Sequence, residues 1–176
     1  MQNRLKSIYG DTKLLLLISA IIFGLSLLFG GYLESRVEGA FLTENNHTSG
    51  DILKNNLKAS VPLLLGFISL GVTTLGALLI NGVAIGGSII ASTDYLTPFQ
   101  IVCLIVPHGL LEIPALLLSS TVGFYSLKML FVFLKGRRVD MKREFKTILY
   151  LLLIIIILFV SAAFVEANVT SHFYPE

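Results

Sequence analysis

Residues 147–165 read TILYLLLIIIILFVSAAFV, nineteen positions without one charged side chain. At about 1.5 Å of rise per residue, roughly 20 apolar residues carry a helix across the ~30 Å hydrocarbon core of a bilayer. The stretch has none of the alternation of a barrel strand, and a lone segment in lipid must satisfy its own backbone hydrogen bonds, so a transmembrane helix is predicted. Immediately before it, Lys135, Arg137, Arg138, Lys142, Arg143 and Lys146 crowd residues 135–146, relieved only by Asp140 and Glu144. After it the tail from Glu166 to Glu176 is polar. A basic linker beside an apolar span marks a cytoplasmic loop.

The rest of the chain repeats this grammar. Of 176 residues 55% are hydrophobic and 14% charged, and mean hydropathy is +0.84. A water-soluble domain of this size cannot hide so much apolar side chain, so the expected fold is an all-α polytopic membrane bundle forming a single domain over 1–176. Spans are expected near 13–33, 59–80, 82–92, 101–134 and 147–165, the third of them short. The division of the second apolar block rests on Asn81-Gly82, a dipeptide that favours tight turns. Residues 34–57, with Glu34, Arg36, Glu38, Glu44, Asp51 and Lys54, read as a polar loop. The first span follows Arg4, Lys6 and Lys13 but is longer than a cleavable signal core and lacks a small-residue cleavage site, so it is read as a retained anchor.

With five crossings, the linker 135–146 and the basic N-terminus both fall in the cytoplasm. The loop 34–57 and the C-terminus then fall outside, in a chain lodged in the cell membrane. The formal net charge of +2 gives no basis for nucleic-acid binding. Cys103, the single cysteine, supports neither a disulfide framework nor a cysteine metal cluster.

Ionisable side chains inside a bilayer are costly and so mark candidate sites. Val106-Pro107-His108-Gly109-Leu110-Leu111-Glu112-Ile113-Pro114 places His108 and Glu112 four residues apart, on one helix face. Ala115, Ser119 and Gly123 continue that face with small residues, which let another helix approach. Pro107 and Pro114 bracket the pair and are expected to perturb the helix. The two side chains can clasp the bundle, relay a proton or ion, or act as candidate ligands for a divalent metal ion, although two ligands do not complete a zinc site. Asn81 is expected nearby. No catalytic residues are expected: the His-Glu-x-x-His signature is absent, and no serine has an obvious histidine base. Gly82 and Gly86 form a packing seam of helix-association type.

The block from Pro107 to Ala115, preceded by Asn55-Asn56 and by Asn81-Gly82-Val83-Ala84-Ile85-Gly86, resembles the stage II sporulation protein M family over roughly residues 13–168. The resemblance implies a polytopic membrane protein without a catalytic activity. It also implies that Asn55, Asn56, Asn81, Gly82, Gly86, Pro107, His108, Gly109, Glu112, Pro114 and Ala115 are motif positions. In sporulating relatives it implies a role in engulfment, where peptidoglycan-degrading partners are localised at the septal membrane. Two readings follow. One is a non-enzymatic scaffold for membrane or envelope proteins; the other is a small transport or ion-binding protein using His108, Glu112 and Asn81. Glycine seams also suggest a homodimer.

Overall fold

The computed structural model describes residues 2–36 and 49–168, with side chains described for 12–36, 53–107 and 109–168. Among these, every regular element is an α-helix: α1 (Gln2–Glu34), α2 (Ser49–Leu65), α3 (Val72–Ser92), α4 (Pro98–Gly123), α5 (Tyr125–Leu134) and α6 (Met141–Asn168). Among the described residues, four stretches are long and apolar enough to cross a membrane: Thr12–Glu34, Val72–Ser92, Gly109–Leu134 and Met141–Asn168. The architecture is therefore the helical membrane bundle that the composition requires. Large apolar side chains such as Leu25, Leu28, Ile80, Leu110 and Phe164 point outward, as they do when the solvent is lipid.

Two pairings organise the bundle, α1 with α3 and α4 with α6. In the first, Gly82 lies against Phe23 and Ser26, Gly86 against Leu27 and Gly31, and Gly31 against Ile90. Residue numbers rise together along this seam, so α1 and α3 run parallel. Parallel neighbours need a returning segment between them, and α2 supplies it. Its Leu63 carbonyl accepts a 2.7 Å hydrogen bond from the Thr74 hydroxyl near the start of α3. α2 packs on α3, α4 and α6, with Leu63 fully buried. The α4–α6 pair is antiparallel, since Lys128, just beyond α4, meets Glu144 near the start of α6.

The division of the second apolar block differs from the sequence expectation. α3 runs unbroken through Asn81-Gly82, and the chain turns instead at residues 66–71. Asn81 stays helical because its Nδ2 donates to the Ala77 carbonyl one turn back, at 2.8 Å. Gly82 serves close approach to α1 and makes no turn there. Leu70 and Gly71 carry the left-handed backbone, with φ of 51° and 84°, and the Gly71 amide donates to the Gly66 carbonyl at 2.7 Å. Only glycine takes such a φ without steric cost. The expected spans 59–80 and 82–92 are thus replaced by α2 and α3.

Two further boundaries move. The polar segment 34–57 contributes to both flanking helices: α1 extends to Glu34 and α2 begins at Ser49. Glu34 is buried, while 37–48 lie outside the described residues. The expected single helix 101–134 is interrupted at Phe124, between α4 and α5. α5 ends in a Schellman motif, with Gly136 at φ 69°, its amide on the Phe133 carbonyl and the Arg137 amide on the Val132 carbonyl. α6 then starts inside the basic linker, where the Asp140 carboxylate accepts from the Arg143 amide at 3.1 Å.

Candidate functional site

α4 opens with Thr97 and Gln100 in a capping box and Pro98 in the first turn, where its missing amide hydrogen costs nothing. The helix continues through both Pro107 and Pro114. Its inner face carries Ala115 and Ser119, both fully buried, and Gly123, packed against Thr74 and the Leu63 carbonyl. Three successive hydroxyls, Ser119, Ser120 and Thr121, donate to the carbonyls of Ala115, Leu116 and Leu117 one turn back. These bonds allow polar side chains to be buried without a partner helix.

Glu112 lies on this inner face, one turn before Leu116. Burial dominates the surroundings of Glu112, and Glu166 of α6 adds a smaller like-charge influence across the α4–α6 pairing. The sequence reading placed Glu166 near a span end and did not join it to Glu112; the antiparallel pairing does. His108 belongs to α4, but its side chain lies outside the described residues, and so does any contact it makes with Glu112. Asn81 donates to its own helix. Among the described residues, no group of three or more His, Cys, Asp or Glu side chains is placed to hold a metal ion.

A second polar cluster, not anticipated from the sequence, closes the other end of the bundle. Lys128 Nζ donates to both carboxylate oxygens of Glu144, at 3.2 and 3.1 Å, and to the Tyr125 hydroxyl at 3.4 Å. The same ammonium sits 4.4 Å from the centre of the Tyr125 ring, within cation–π range. Tyr125 is fully buried and Glu144 nearly so, and Thr12 of α1 hydrogen-bonds Tyr125. One network therefore ties α1, α5 and α6 together. Glu144 looked solvated because it stands among basic residues in sequence, and its partner is sixteen positions away.

The profile of the stage II sporulation protein M family matches residues 14–171. The chain belongs to that family. It is 32% identical over 171 residues to a Methanocaldococcus jannaschii protein named uncharacterized protein MJ0793, covering 90% of this chain and 94% of that one. A second protein of that organism, uncharacterized protein MJ0706, is 33% identical over 146 residues, which is 78% of this chain and 64% of that one. No solved structure matches.

The residues that suggested the stage II sporulation protein M family fall into distinct environments. Gly82 and Gly86 form the α1 seam. Asn55 is exposed whereas Asn56 is buried, and the Asn56 Nδ2 has no hydrogen-bond partner among the described residues. Ala115 is in the core. Gly109 and Pro114 line an apolar groove of about 320 Å³ with Ile105, Val106, Leu110 and Ile113. At about 100° per residue this groove faces away from Ala115, while Glu112 stands within about 20° of its Ile105 edge. The family block thus contributes to two faces of α4, one inside the bundle and one outside it.

Proposed function

We propose that this member of the stage II sporulation protein M family is a non-enzymatic, multi-pass scaffold of the cell membrane that holds or localises other membrane or envelope proteins. The observation that carries the reading is the Lys128–Glu144–Tyr125 network, in which the ionisable groups at one end of the bundle fasten helices to one another. The Thr74 bond to the Leu63 carbonyl does the same between α2 and α3. The orientation that suits this role puts the N-terminus and the basic linker in the cytoplasm and the C-terminus outside, by the positive-inside rule. Partners in sporulating relatives would be peptidoglycan-degrading proteins; for this chain the partner class is a protein of the membrane or envelope reached through residues 34–57.

Deleting residues 40–48, which stops short of α2, from the full-length chain is the test. After cross-linking in native membranes, co-purification of envelope proteins is expected to fall to background while membrane insertion stays unchanged. Undiminished co-purification would place the interface elsewhere.

A second reading draws on Glu112, mostly buried on α4 and within the electrostatic influence of Glu166 on α6. Like charges so placed are relieved by a shared proton or a bound cation. With His108 on the same helix, this pair would form the ion or divalent-metal site of a small transport protein.

A further inference from the structure

α1 packs on α3 and α4, and α6 packs on α4 and α2, which leaves a crevice of about 310 Å³ between α1 and α6 with α4 at its back. Thr12, Lys13 and Thr147 line it about one helical turn before Leu16 and Leu151, with Leu118 and Tyr150 beside them, and its walls are almost wholly apolar. Thr12 stands at the Tyr125 network and Thr147 follows the basic linker. Apolar walls with basic residues at the rim suit a lipid in a leaflet, headgroup at the interface and chain toward the midplane. The charges match as well. Lys13 lines the mouth and is exposed, Lys146 precedes Thr147, and Lys142 and Arg143 lie one turn earlier on α6. Of the two acidic side chains on that segment, Glu144 is held by Lys128 and Asp140 caps α6 through the Arg143 amide.

We propose that this crevice is a lipid site that holds one acyl chain of an anionic phospholipid, with its headgroup at Lys13 and the first turns of α6. Basic pockets between membrane helices on the cytoplasmic side recognise such headgroups by charge, and the apolar wall confers retention. The site is separate from Glu112 and does not depend on the scaffold reading.

Native mass spectrometry of the full-length chain in detergent, with dioleoyl phosphatidylglycerol or dioleoyl phosphatidylcholine added, tests it. Wild type is expected to retain phosphatidylglycerol about fivefold more than phosphatidylcholine, the preference that one or more interfacial basic residues confer. Lys13→Gln, an exposed change that leaves the packing intact, is expected to lower the ratio severalfold. Leu118→Trp, which fills the crevice, is expected to lower retention of both lipids. Equal retention of the two lipids by wild type, or an unchanged ratio in Lys13→Gln, overturns the headgroup assignment. Full retention in a folded Leu118→Trp chain overturns the crevice as the site.

Discussion

Replacing Gly86 with leucine is expected to cost about 3 kcal/mol, at the upper end of what overpacking a tight interior produces. A side chain at that position would run into the Leu27 carbonyl and come within 3.1 Å of the Gly31 nitrogen. Both are backbone atoms of α1, so nothing flexible can swing aside, and the two helices must separate along their whole shared seam. Gly76, on the same α3 helix, has nothing within 4 Å of where a Cβ would stand, so Gly76→Leu is expected to change stability by no more than about 0.5 kcal/mol. Reversible unfolding in mixed micelles measures both. Equal losses in the two variants would mean that close approach to α1 does not set the Gly86 effect, since the gain in helix propensity favours leucine at both positions.

The ion pair predicts an effect of similar size with a different signature. Removing one partner, by Lys128→Met or Glu144→Met, is expected to cost about 3 kcal/mol, because the remaining group is left buried without its counterpart. Both side chains are mostly buried, at 13% and 10% exposure, so solvent screens the pair only weakly. The double variant Lys128→Met with Glu144→Met is expected to recover most of that loss, since two apolar side chains of similar length restore packing without desolvated charge. A double-mutant cycle in the same micelles therefore shows strong coupling. Additive losses would show that the two residues act independently.

The fold class was legible because apolar runs the length of a bilayer have few other uses. The buried face of α4 was legible for the same kind of reason: Ala115, Ser119 and Gly123 recur at helical spacing and are all small. The break in the second apolar block was misread because Asn-Gly has two meanings. In water it favours a turn, but in a packed helix the asparagine can hydrogen-bond the preceding turn and the glycine can admit a neighbouring helix. The real turn had its own signal in Gly66 and Gly71, which stand five residues apart on either side of Ser69. That signal was weak because glycines at such spacings also occur within membrane helices.

The candidate sites were harder to read because they depend on pairings distant in sequence. Glu112 was conspicuous as a carboxylate in an apolar run, but its relation to Glu166 requires the antiparallel packing of α4 on α6. Glu144 gave the opposite signal, since six neighbouring basic residues suggested a solvated linker while the fold turns its carboxylate onto Lys128. Asn56 was marked only by its place in the family block. Its burial arises because α2 begins well inside the segment that reads as a loop.

We propose that the polar groups of this bundle fasten helices and do not form a conducting path. The most direct measurement is proton and divalent-cation flux into liposomes containing the purified full-length chain, compared with empty liposomes and with the Glu112→Gln variant. The account predicts the same flux in all three preparations. A saturable flux in wild type that Glu112→Gln abolishes, with the variant still folded, would contradict it and move the function to the Glu112–Glu166 seam.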